Sequence, residues 1–111
     1  MHEHTLAMNI LKTAHDAAKG QKILKIVLEI GEIADIPPQE LVDAIKHIVK
    51  YDVEYAESES KIKCSCGYIG RSRILEKKHA ATIFVCPECN NSNPEVLTGK
   101  DIIIKEIEVE D

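Results

Sequence analysis

Four cysteines in two close pairs are the residues of this 111-residue sequence best equipped for chemistry: Cys64 and Cys66 in C-S-C-G, Cys86 and Cys89 in C-P-E-C-N, with 19 residues between the pairs. Two turns at that separation can present four thiolates tetrahedrally, and a sulfur-rich tetrahedral site without redox chemistry selects Zn2+. With no vacant coordination position, such an ion holds a loop together instead of catalysing. The first pair is C-x-C, which tightens its turn and leaves open whether Cys64 ligates; His79 is an available nitrogen in its place. Redox chemistry by Cys86-Pro87-Glu88-Cys89 is the competing reading, and it requires the motif to open a helix within a βαβ unit.

A second set of donors stands at the start of the sequence, Met1-His2-Glu3-His4. A free α-amine, the deprotonated amide of His2 and its imidazole can close adjacent chelate rings around one ion, with the amide of Glu3 or a second imidazole completing the plane. Nitrogen donors in a plane suit Ni2+ or Cu2+ and disfavour Zn2+ or Mg2+. The donors must shed protons, so affinity should fall as pH drops through the imidazole and amine range. The plainer reading, two exposed histidines at a frayed end with Glu3 favouring the helix dipole, stands beside it. His15 and His47 have no second histidine four residues away and are expected on helix surfaces.

These groups need a scaffold. Leu6, Ile10, Ala14 and Ala17, with Leu11 and Ala18, recur at helical spacing over 5–19, and Gly20 is placed to end that helix. Residues 22–32 (KILKIVLEIGE) predict a buried strand with Leu24, Ile26, Leu28 and Ile30 on one face, Lys25 and Glu29 on the other, and Ile23 and Val27 giving that second face partial cover. After Gly31 and a turn, Pro37-Pro38 starts a second helix with Leu41, Ile45 and Ile48 in its stripe. A polar stretch at 56–60 leads into the cysteine region, where 82–85 is a short apolar run. The closing DIIIKEIEVE alternates, with Ile103, Ile107 and Val109 on one side and Glu106, Glu108 and Glu110 on the other, and it returns to the first strand's sheet. The expected fold is α+β: two helices on a small mixed sheet, residues 1–60 plus 98–111, with a zinc-ribbon-like subdomain of short strands, 61–97, inserted.

Charge marks the same insertion. Residues 61–93 hold six basic against two acidic side chains, net +4, whereas the remainder holds eight against seventeen, net −9. At this length two full-size domains are excluded, and the small core makes a structural metal an important source of stability. No run approaches the roughly 18–20 apolar residues of a membrane span and no secretory leader is evident, so a cytoplasmic protein with reduced thiols is the expectation.

The start M-H-E-x-x-L, the segment G-E-I-A-D-I-P-P-Q-E-L, the two cysteine pairs and the closing I-I-I-K-E-I-E-V-E, in that order, resemble the HypA/HybF nickel metallochaperones of [NiFe]-hydrogenase maturation. The resemblance implies a nickel-binding body in which His2 is the essential ligand, the Met1 amine and the amides of His2 and Glu3 its companions, and Cys64, Cys66, Cys86 and Cys89 the holders of structural zinc. It also implies Ni2+ as transferred cargo, delivered with a HypB-type GTPase to the hydrogenase large subunit. Homodimerisation is left open.

A zinc-ribbon module for nucleic acid is the alternative function, suggested by the local charge of +4. Nucleic acid is disfavoured by the acidic whole and by Tyr68 and Phe84 being the segment's only aromatic residues for base stacking. An enzyme is not expected: no phosphate-binding glycine loop, nucleophile elbow or H-E-x-x-H is present.

Overall fold

The computed structural model describes residues 3–78 and 81–110, with Glu3 described by its backbone alone. Helix α1 runs Glu3–Ala18 and stops where Lys19 (φ 52°) and Gly20 (φ 84°) turn left-handed. Its buried line is Ala7, Ile10, Leu11, Ala14 and Ala18. Ala17, expected in the stripe, faces solvent. Strand β1 (Ile23–Gly31) follows, then α2 (Pro38–Ile48), whose first turn accepts Pro38 because the missing N–H would have no intrahelical acceptor there.

The stretch at 56–60 expected to be an irregular polar link belongs largely to a strand. Strand β2 (Asp52–Ser58) pairs parallel with β1, Ile26 beside Val53 and Ile30 beside Glu57. A parallel neighbour needs a crossover, and α2 supplies it. Only Val53 of β2 is buried, so an edge strand with a wet face reads as polar sequence. On the other side of β1 lies β8 (Ile102–Val109), antiparallel, giving the mixed sheet β2-β1-β8.

Both helices pack on one face of this sheet. Ile26, Leu28 and Ile30 of β1 meet Ala14 and Leu11 of α1 and Leu41, Val42 and Ile45 of α2 in one apolar cluster. Two bulges alter the expected alternation. One between Ile23 and Lys25 buries Ile23 and leaves Leu24 39% exposed, the reverse of the expectation for those two residues. The other leaves Lys105 as an extra residue between Ile104, opposite Leu28, and Glu106, opposite Val27. It changes the phase of β8, so Ile102 and Ile104 join Ile107 and Val109 on the core side while Ile103 turns out, 51% exposed.

The segment between β2 and β8 forms two further small sheets, with β3 (Lys61–Lys63) between β4 (Ile69–Gly70) and β7 (Glu95–Thr98), and β5 (Arg73–Lys77) paired with β6 (Thr82–Val85). It has its own apolar centre: Ile62, Cys64 and Cys86, flanked by Tyr68, Phe84 and Val96. The radius of gyration, 16.0 Å, exceeds the about 13 Å of a compact chain this long, which reflects the two centres lying end to end.

The chain leaves the helix-backed sheet at Ser58 and returns at Gly99, and both crossings press on Gly31. Glu32 N–H donates to the Ser58 carbonyl at 2.9 Å and Ile33 N–H to the Gly99 carbonyl at 3.0 Å. A Cβ on Gly31 would lie 2.0 Å from the Gly99 oxygen, and Gly99, at φ +105°, sits where its own Cβ would meet Ser60 Cα at 2.5 Å. Glycine is required at both places by backbone packing against backbone.

Candidate metal centre

The four cysteine sulfurs converge. All lie within 4.8 Å of one another, with Cys64 Sγ to Cys89 Sγ at 3.6 Å and Cys66 Sγ to Cys86 Sγ at 3.7 Å. A disulfide would require about 2.05 Å. A tetrahedron with Zn–S bonds of about 2.3 Å has sulfur–sulfur edges of about 3.8 Å. The donor set and its spacing therefore fit zinc, and a bound ion would tie the two turns into one unit.

Backbone geometry explains why C-x-C works here. In the second turn Asn90 N–H donates to the Cys86 carbonyl and Cys86 N–H to the Asn91 carbonyl, both at 2.9 Å. In the first turn Gly67 N–H donates to the Cys64 carbonyl at 3.0 Å and Cys64 N–H to the Tyr68 carbonyl at 2.9 Å. The same pair of bonds is made with one residue fewer. Left-handed residues carry each loop, Gly67 at φ 100° and Asn90 at φ 62°. The structure thus brings Cys64 to the other three thiols, and His79, its suggested substitute, lies outside the described residues.

Four thiols at this distance compete for protons. The Cys64 thiol is pulled down to about 6, first by the Cys66 backbone N–H and then by Asn91, whose Nδ2 donates to Sγ at 3.6 Å. Cys89 also receives a backbone bond, from Asn91, but the surrounding thiols and desolvation push it up to about 12. One thiolate forms readily and a full set needs a cation among them. The Cys86–Cys89 turn follows β6 and opens no helix, so the thioredoxin-like context is missing.

Half of the segment's six basic side chains are ion-paired within the chain: Arg71 binds Glu32, Lys77 pairs with Glu57, and Lys78 lies 4.0 Å from Glu76. Arg73 Nη2 donates to Asn90 Oδ1 at 2.6 Å. The nucleic-acid alternative is not favoured.

A buried polar latch joins the cysteine segment to the helix-backed sheet, and it was not anticipated from sequence. Glu32, 5% exposed, accepts from Ser60 N–H at 2.6 Å, Ser60 Oγ at 2.7 Å, Arg71 Nη2 at 2.7 Å and Arg71 Nε at 3.0 Å. Ser72 N–H donates to Ser60 Oγ at 3.1 Å, and Thr82 Oγ1 donates to the Ala34 carbonyl at 2.7 Å. Burial alone would raise the Glu32 pKa, but the Arg71 and Ser60 bonds outweigh it and bring the group to about 2. The available signal was an acid directly after an apolar strand, Gly31-Glu32, with no partner nearby in sequence.

At the other end, Glu3 opens α1, so Met1 and His2 directly precede the helix in sequence. Met1 and His2 lie outside the described residues, as does the Glu3 side chain. His4 is exposed in the first turn. His15 shares a 3.1 Å hydrogen bond with the Tyr51 hydroxyl, and His47 is exposed in the last turn of α2. Neither joins a metal-ligand cluster among the described residues.

A helix-backed mixed sheet carrying a four-cysteine insertion defines a small metal-handling α+β protein. The family model described as "Hydrogenase/urease nickel incorporation, metallochaperone, hypA" matches residues 1–109, and the chain belongs to this family. Family members bind nickel, and the four-cysteine cluster suits structural zinc. Among curated relatives, hydrogenase maturation factor HypA of Methanothermobacter thermautotrophicus is 28% identical, covering 99% of this chain and 98% of the relative. Hydrogenase maturation factor HypA of Wolinella succinogenes is 31% identical over 99% and 96%. The solution structure of the Ni metallochaperone HypA from Helicobacter pylori shares the fold, with a TM-score of 0.64 at 19% identity over 98% and 97% of the two chains.

Proposed function

We propose that this chain captures Ni2+ at its amino terminus and passes it on during maturation of a [NiFe]-hydrogenase. The observation that carries the reading is the family match, which runs from residue 1 and so takes in Met1-His2-Glu3. His2 imidazole, the Met1 amine and the amides of His2 and Glu3 form the donor set, all nitrogen and able to lie in a plane. His4 is exposed in the first turn of α1 and is not required. A site at a chain end with few side-chain anchors can surrender its ligands one at a time, which suits cargo.

In this reading residues 1–60 plus 98–111 are the nickel-binding body. Residues 61–97 are the zinc subdomain, with Cys64, Cys66, Cys86 and Cys89 as ligands. The protein carries an ion and catalyses no reaction; it works in the cytoplasm with a HypB-type GTPase and delivers to the hydrogenase large subunit. No helix among the described residues is long and apolar enough to cross a membrane.

Nickel titration of untagged, zinc-loaded protein tests the donor set. His2→Ala should abolish stoichiometric Ni2+ binding while zinc content is unchanged, and an amino-terminal extension should weaken binding because it removes the free amine. Unchanged affinity in His2→Ala would eliminate this site.

A further inference from the structure

The C-x-C spacing of the first cysteine turn governs how the cluster can be oxidised as well as how it closes. Four cysteines form two disulfides in three ways. In one way each turn bridges itself, Cys64 to Cys66 and Cys86 to Cys89; in the other two the bridges run between the turns. Cys86 and Cys89 have two residues between them, a spacing at which thiols bridge readily. Cys64 and Cys66 have only Ser65 between them, and their turn is held by Gly67 N–H on the Cys64 carbonyl at 3.0 Å and Cys64 N–H on the Tyr68 carbonyl at 2.9 Å. A bridge there closes a small, strained ring, and strained bridges are the ones that neighbouring thiols reopen. Full oxidation is therefore directed across the turns.

The sulfur positions choose between the two cross-pairings. Cys64 Sγ lies 3.6 Å from Cys89 Sγ and Cys66 Sγ 3.7 Å from Cys86 Sγ, so forming these bonds moves each pair together by less than about 2 Å. Burial divides the roles within each pair. Cys66 and Cys89 are exposed, whereas Cys64 and Cys86 are buried against Ile62. Each close pair thus joins one sulfur that a dissolved oxidant can reach to one that it cannot.

We propose that Cys66 and Cys89 are modification sites for hydrogen peroxide, with Cys86 and Cys64 as their resolving thiols, and that oxidation converts the cluster reversibly into two turn-to-turn disulfides. The Cys89 thiolate attacks the O–O bond, becoming a sulfenic acid and releasing hydroxide. The Cys64 thiolate then displaces hydroxide from that sulfur as the S–S bond forms. Each sulfur gives up one electron and the peroxide takes both. Cys66 and Cys86 repeat the sequence with a second peroxide, after which no thiolate is left to hold zinc. The bridges join the same two turns that the ion would join, so the segment keeps its apolar centre. The oxidised cluster also offers no thiolate to Ni2+, which keeps the cargo out of a sulfur site when zinc is lost. The inference rests on the zinc reading of the four cysteines.

Full-length, zinc-loaded wild type treated with excess hydrogen peroxide tests this without a substitution. Zinc release is followed with a chromogenic chelator, free thiols are then blocked, and non-reduced peptides are read by mass spectrometry. Trypsin cuts after Lys63, Arg71 and Lys78, leaving Cys64 with Cys66 in one peptide and Cys86 with Cys89 in another; a further cut after Glu88 separates the second pair. Zinc should leave in full and the peptides of the two turns should be joined, with fragmentation between Cys64 and Cys66 assigning Cys64 to Cys89 and Cys66 to Cys86. Dithiothreitol followed by zinc should return the starting metal content. Turns left unjoined, the opposite cross-pairing, sulfinic acid in place of disulfide, zinc retained under excess peroxide, or metal content that reduction does not restore would each overturn the proposal. A protein that purifies without zinc would remove the zinc reading alone, and the pairing is then read on the reduced chain in the same way.

Discussion

Replacing Glu32 by Gln should loosen the join between the cysteine segment and the helix-backed sheet by an amount that can be worked out from its surroundings. The carboxylate is buried and accepts from Ser60 and Arg71 at 2.6–3.2 Å. A pKa lowered from 4.5 to about 2 corresponds to about 3 kcal/mol of preference for the charged form in the folded state. Gln keeps the shape and one acceptor oxygen, loses the charge, and turns an NH2 toward donors, so a loss of about 2–3 kcal/mol is expected at pH 7. Arg71, with its side chain 59% exposed, can recover water and softens the loss from its own side. The sign with pH follows from a depressed carboxylate. The Glu32 contribution is complete above about 4.5 and fades as pH falls toward about 2. Urea denaturation at pH 7 with zinc bound gives the difference, and carbon-detected NMR titration of the Glu32 carboxyl gives its midpoint. A loss below about 0.5 kcal/mol, or a midpoint at the ordinary 4.5, would refute the latch.

Gly31→Ala forces a methyl into the Gly99 backbone, and denaturation midpoints should show a loss of about 1–3 kcal/mol or more with the fold otherwise retained. Asn91→Ala removes the side-chain donor to Cys64 Sγ and should lower zinc affinity about 10- to 100-fold in a chelator competition. Cys64→Ser should leave less than one zinc per chain after dialysis against that chelator, and a retained full equivalent would mean that Cys64 is not a ligand.

What was legible in the sequence was whatever depends on near neighbours. The helix stripes, the Pro37-Pro38 helix start and the two cysteine pairs are local patterns, and each appears where its spacing put it except at the stripe positions Ala17 of α1 and Ile48 of α2, which face solvent, Ile48 41% exposed where α2 ends. Strand β2 was not legible because an edge strand with only Val53 buried carries little apolar signal. Ile103 was placed on the same side as Ile107 and Val109 because strict alternation cannot foresee a bulge two residues later, at Lys105. Glu32 and Arg71 are 39 positions apart, and their pairing depends on how the insertion folds back onto the turn after β1. The shortened first cysteine turn is intermediate: its ligand types were visible, while its closure rests on backbone bonds made one residue earlier than in its partner turn.

Nickel K-edge X-ray absorption on untagged protein holding one zinc and one added nickel tests the central claim most directly. The account predicts a planar nickel environment of nitrogen donors, lost in His2→Ala, with zinc still held by four sulfurs. Nickel bound to sulfur, or nickel entering only as zinc leaves, would contradict it.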